Sequence, residues 1–164
     1  MFNNNLKEDV LTEGINEEIR TIIENTCEAC KLHRGTSRLN LQDELNSFIH
    51  TFLKKEQNIY KTMHEKMFDV LVYFFGQKKI TCMIKYAHSS LIKERFLLEK
   101  QHNMDRFKAV VLPEKQEMYI QRMIDDWSKG RVDDVFSNIN MNVSQFRNKF
   151  ISCLKKLDVT YQTQ

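Results

Sequence analysis

Residues 131–157, RVDDVFSNINMNVSQFRNKFISCLKKL, decide the reading of the fold. Val135 and Ile139 on a short segment, then Val143, Phe146, Phe150, Leu154 and Leu157 on a longer one, recur three or four residues apart. That is the period of helices that each bury one stripe. The pattern predicts a helix over 132–138, a short polar turn, and a second helix over 143–157, the proportions of a helix-turn-helix. With its stripe turned inward, the second helix presents Ser144, Gln145, Asn148, Lys149, Ser152 and Lys156 on the opposite face. Amides and hydroxyls of this kind read base edges in a major groove, while lysine and arginine hold phosphates. The candidate DNA-binding residues here are Asn142, Ser144, Gln145, Arg147, Asn148, Lys149 and Lys156. The same spacing also fits a plain helical hairpin whose polar face is only hydrated.

Outward from this segment, the chain of 164 residues has only four Gly and one Pro, too little turn chemistry for a sandwich or barrel. An all-α protein is expected, with helix in about two thirds of the residues against the usual third. Apolar periodicity predicts a helix over 15–32 and a second over 41–60 capped by Asn40, with Leu41, Leu45, Phe48, Phe52 and Ile59 as its stripe. Met63 to Phe75, MHEKMFDVLVYFF, is apolar almost all round and reads as a buried helix ended by Gly76. Residues 80–101 read as one helix with Lys85, Lys93, Arg95 and Lys100 on its polar face. Residues 102–113 read as a linker, and 114–126 as a further helix. The expected organisation is an acidic N-terminal segment over 1–36, a helical bundle over 37–108 and a small helix-turn-helix module over 109–164.

Charge supports a polyanionic partner. The net charge is +3, but residues 1–47 carry five Lys/Arg against nine Asp/Glu, so the basic excess falls in the remainder. Lys78 to Lys108 is its densest part, and Lys85, Lys93 and Arg95 are further candidates for contact with phosphate. Cys27-x-x-Cys30 with His33 supplies three zinc-ligand types where a structural site takes four, so no metal is expected. The five His are scattered, and the sequence holds neither a Gly-rich phosphate loop nor a paired-carboxylate site. A non-enzymatic protein without a cofactor is expected. With no apolar stretch long enough to span a bilayer and no apolar leader, the expectation is an intracellular chain with reduced thiols and no membrane partner.

Over a longer window, 111–157, the chain resembles region 4 of the bacterial sigma-70 family. Leu112-Pro113 matches the opening, Trp127-Ser128 the step before the motif, and Val135, Ile139, Met141, Val143, Phe146, Phe150 and Leu154 its buried positions. It departs from the family pattern at Lys129-Gly130-Arg131, an insertion. Phe136 stands where a small residue packs, and Asn140 replaces the turn glycine. Residues 63–102 are similar to region 2 of the same family. The resemblance implies a small sigma-like transcription factor whose middle bundle docks on core RNA polymerase and whose last helix reads a promoter element in DNA. Residues 15–49 also resemble the last two helices of a histone fold, without the first. The alternative reading is a helical interaction adaptor that buries its Phe and Met stripes against a protein partner and binds no DNA. The sequence leaves the oligomeric state open.

Overall fold

The computed structural model describes residues 3–12, 17–32, 38–100 and 107–162, with the side chains of all but 38 and 157–162. It is mostly helical, with helix at 67%, close to the two thirds expected. The mainly-α class fits, and two small sheets accompany the helices. The chain separates into two compact units, Met1–His88 and Ser89–Gln164. The expected boundaries at 36 and 108 coincide with neither end of these units.

The N-terminal unit contains β1 (Leu6–Lys7), α1 (Glu17–Ala29), α2 (Arg38–Ser47), β2 (Leu53–Glu56), β3 (Ile59–Thr62), α3 (Glu65–Lys78) and α4 (Ile80–Tyr86). The three strands form an antiparallel sheet in the order β1-β3-β2, with Lys55 opposite Tyr60 and Tyr60 opposite Leu6. The helix expected over 41–60 therefore stops at Ser47 and gives way to a β-hairpin. Its two-residue turn is Gln57-Asn58, with φ of 49° and 61°, the left-handed pair that matches strand twist. Alternation then wins over the helical stripe, since Tyr60 and Thr62 face inward and Tyr60 Oη donates to Asn46 Oδ1 at 2.8 Å. Glu8 ties the sheet to α2, accepting from Lys55 Nζ at 2.7 Å and Gln42 Nε2 at 2.6 Å. Those bonds hold its carboxyl below the usual range.

Two further expectations fail in this unit. Gly76 does not end α3; it is buried inside the helix, which continues to Lys78. Nor is α3 buried all round: only Val72 and Gly76 are, while Val70, Leu71, Tyr73, Phe74 and Phe75 stay 37–47% exposed. A helix apolar on every side needs neighbours on every side, and among the described residues α3 packs chiefly on α4 and β3.

The C-terminal unit runs α5 (Ser89–Arg95), β4 (Phe96–Leu97), β5 (Ala109–Val110), α6 (Gln116–Ser128), α7 (Val132–Phe136) and α8 (Ser144–Gln162). The single helix expected over 80–101 is instead α4 and α5, parted at Ala87, whose ψ of 152° is extended. Strands β4 and β5 pair in parallel, and Val111 N–H continues the pairing to Leu97 O at 2.7 Å. Part of the expected linker is thus a strand; residues 101–106 lie outside the described residues. Phe96, Leu97, Val111, Tyr119, Met123, Val135, Phe146 and Phe150 form a dense core beneath α6 and α8. Gly130, at φ 78°, closes α6: its N–H donates to Trp127 O and Arg131 N–H to Asp126 O, at 3.0 and 2.9 Å. Lys129-Gly130-Arg131, the insertion relative to the sigma pattern, is therefore a helix cap. Arg131 and Arg122 also clamp the buried Asp126 carboxylate, at 2.8 and 3.0 Å.

Candidate nucleic-acid interface

The placement of α8 rests on a buried polar knot. Asn138 caps the 3-10 turn Ile139–Asn142, its side-chain oxygen accepting from Asn140 N–H at 2.9 Å. Asn140 Nδ2 donates to Phe96 O at 2.8 Å and to Tyr119 Oη at 3.0 Å, while its Oδ1 accepts from Leu98 N–H at 3.0 Å. Asn138 Nδ2 donates to the same Tyr119 oxygen at 2.8 Å. All three side chains are buried, and burial pushes the Tyr119 phenol up to about 12 against the pull of the two amides. Buried amides are tolerated because their donors and acceptors are met. Asn140, read from the sequence as a substitute for a left-handed turn glycine, is not at positive φ; it joins β4, α6 and the turn. The one cue in the sequence was the alternation of Asn138, Asn140 and Asn142 among apolar residues.

Above this knot the first turns of α8 sit on Phe146 and Phe150, whose rings stack with centroids 6.2 Å apart. Ser144, Asn148 and Ser152 follow one another along the outward face, and Gln145, Lys149 and Lys156 lie on its flank, all exposed. Asn142 is exposed at the end of the turn. Arg147 is exposed but engaged: Nη1 donates to Met141 O at 2.9 Å and Nη2 to Ser144 Oγ at 3.2 Å, so in this conformation it pins the turn to the helix. Phe136, which stands where the family pattern packs a small residue, is 54% exposed. Trp127 is likewise exposed, and Ile139, Val143 and Leu154 are only half-buried.

Of the basic candidates outside α8, Lys93 and Arg95 lie on α5 and Lys85 on α4. Lys93 is paired with Asp134 at 2.9 Å and donates to Ser137 Oγ at 3.2 Å. The Asp134 carboxylate raises its pKa, so Lys93 holds α5 to α7 and is not placed to hold phosphate. Arg95 is half-buried on the same helix. Lys85 is exposed on α4 in the other unit. Cys27, Cys30, Cys82 and Cys153 are free thiols, and burial raises the pKa of Cys27 and Cys82. His33 lies outside the described residues, among which no group of three or more His, Cys, Asp or Glu is placed to hold a metal. No described helix is long and apolar enough to cross a membrane.

Sequence reasoning missed a cleft of about 90 Å³ beside α8, whose charged lining residues are Glu99 and Lys149. It is formed where β4 ends, α6 begins and the turn enters α8, a meeting of distant segments that no local pattern announces. No protein-family model, curated protein or solved structure matches the chain.

Proposed function

We propose that this protein is a DNA-binding transcription factor resembling a small sigma factor, in which α7, the 3-10 turn and α8 act as a helix-turn-helix and α8 reads a promoter element. The observation that carries the reading is the outward face of α8: short polar side chains in register, flanked by lysines, on a helix fixed from below by stacked rings and a satisfied polar knot. Ser144, Gln145 and Asn148 are the proposed base readers, Asn142 a further contact at the helix start, and Lys149 and Lys156 the phosphate contacts. Arg147 joins them only by releasing Met141 O and Ser144 Oγ. Docking on core RNA polymerase is proposed for the 63–102 stretch, which spans α3, α4, α5 and β4, with Lys85 and Arg95 as its basic contacts. The test is a mobility assay on promoter-length DNA, with and without core polymerase. Gln145→Ala is expected to weaken the preferred sequence by about 1–3 kcal/mol and random DNA little. Lys156→Ala weakens both and lowers the salt slope by about one. If folded polar-face variants bind DNA as the parent does, α8 is not a reader.

A second reading has its own support. Five large apolar side chains stand exposed on one helix, α3, and apolar surface gathered in this way marks protein docking. In that reading the chain is a non-enzymatic adaptor and binds no DNA. A folded parent that binds no DNA, with or without polymerase, yet captures another protein in a way that Phe74→Glu abolishes, would favour it.

A further inference from the structure

We infer that the cleft between the end of β4 and the start of α8 is a binding site for a small free zwitterion, an α-amino acid. Glu99 and Lys149 both line it, and among the described residues neither makes an ion pair or hydrogen bond. Opposite charges that border one small cleft without closing on each other leave a carboxylate and an ammonium both unanswered. A simple anion is drawn by Lys149 and repelled by Glu99, and a simple cation the reverse. A ligand carrying both charges answers both.

The remaining lining fits the rest of such a molecule. Ile120 and Phe146 are buried side chains that give the cleft an apolar floor. The amide of Gln145 lies at the rim, with no partner among the described residues. The wall is prebuilt: Gln116 Nε2 donates to Leu98 O at 3.2 Å, and Leu98 N–H donates to the buried Asn140 Oδ1 at 3.0 Å. A cleft of about 90 Å³, several times the roughly 10–15 Å³ that admits one water, has room for a small molecule. The inference does not rest on the DNA reading, but the cleft shares Gln145 and Lys149 with the proposed DNA face, so its test leaves DNA out.

The experiment is calorimetric titration of the full chain, without DNA, with the small L-amino acids and with the N-acetyl and C-amide derivatives of each. At least one intact amino acid is expected to bind saturably, and either derivative, having lost one charge, to bind about tenfold or more weakly. Glu99→Gln and Lys149→Met, both at exposed positions, are expected to keep the parent melting temperature and to weaken the intact ligand by a similar factor. The inference is overturned if no amino acid binds at millimolar concentration, if the blocked derivatives bind as well as the parent compound, or if either folded variant binds unchanged.

Discussion

The two units of this chain spend their apolar residues differently. Among the described residues, of the ten largest side chains with under 2% exposure Ile84 alone belongs to the N-terminal unit; Tyr119, Phe96 and Phe150 head the rest, all from the C-terminal unit. The N-terminal unit is not short of such residues, for α3 alone carries Phe68, Val70, Leu71, Tyr73, Phe74 and Phe75. It presents most of them to solvent. In α8 the division is sharper, with Phe146 and Phe150 beneath, Asn148 and Ser152 above, and Ile151 the one large apolar side chain left exposed among its described residues. Apolar content therefore does not determine burial. A helix buries the face that its neighbours can cover, and the uncovered face, polar in α8 and apolar in α3, sets what each unit can bind.

The largest expected effect tests this contrast directly. Phe150→Ala removes a fully buried ring and is expected to cost about 3–5 kcal/mol of stability. Phe74→Ala removes a ring that is 47% exposed, edge-on to the exposed Phe75 with centroids 5.4 Å apart and beneath Lys78 Nζ at 4.4 Å, and is expected to change stability by about 1 kcal/mol or less. Denaturant unfolding read by residue-level hydrogen exchange separates the two units. Equal losses from the two substitutions would mean that α3 is covered in solution and that the comparison fails.

Next in size is the polar knot. Asn140→Ala leaves Leu98 N–H, Phe96 O and the Tyr119 hydroxyl short of partners in a buried site. Each such loss costs about 1–3 kcal/mol, so a total of about 3 kcal/mol is expected, confined to the C-terminal unit. Asn140→Asp keeps the acceptor for Leu98 N–H but buries a carboxylate facing Phe96 O, and is expected to be no better. A chemical-denaturation midpoint within error of the parent would show that the knot is ornamental.

What the sequence made legible follows from these energetics. Helices α6 and α8 were placed because each has an apolar stripe, and the short α7, where Val135 alone is buried, because Gly130 marks the limit before it as Pro113 does for α6. The outward residues of α8 followed from the same stripe by geometry. The hairpin at 53–62 was missed because Phe48, Phe52 and Ile59 also satisfy a helical spacing, while Gln57-Asn58 lacks the glycine that usually announces a two-residue turn. The break at Ala87 escaped because His88, Ser89 and Ser90 interrupt an apolar run that is otherwise continuous. Lys93 was read as a phosphate contact because its partner, Asp134, is distant in sequence. The knot and the cleft depend on segments from β4, α6 and the turn meeting in space. No periodicity encodes such a meeting.

The units should also respond differently to pH. Tyr119 is buried with its pKa pushed up from 10.0 to about 12. A group whose pKa is higher folded than unfolded adds stability that is complete below the unfolded value and is lost as pH rises through the folded one. The C-terminal unit is therefore expected to weaken between about pH 10 and 12 by on the order of 2–3 kcal/mol, and Tyr119→Phe to remove that dependence. In the N-terminal unit the lowered pKa of Glu8, caused first by its bond from Lys55, gives stability that is present above its unfolded value and lost as pH falls through the folded one. Glu8→Gln is expected to flatten the acid limb of that unit alone. Tyrosine absorbance and hydrogen exchange across both limbs report the two effects separately, and a Tyr119 that titrates like an exposed phenol would overturn the assignment.

The smallest expected effect on stability is the most informative about function. Asn148 is exposed in the middle of the outward face of α8, and its replacement by Ala trades a middling helix former for the best one, a change of about half a kcal/mol in favour of the helix. The melting temperature of Asn148→Ala is thus expected to stay level or rise slightly. If α8 is a reader, the same substitution lowers affinity for the preferred DNA sequence by about 1–3 kcal/mol while leaving random DNA bound as before. Stability and binding then move in opposite directions, which damage to the fold cannot produce. A variant that is no less stable and binds its preferred sequence unchanged would leave α8 as a wetted helix, and the apolar face of α3 as the surface through which this protein acts.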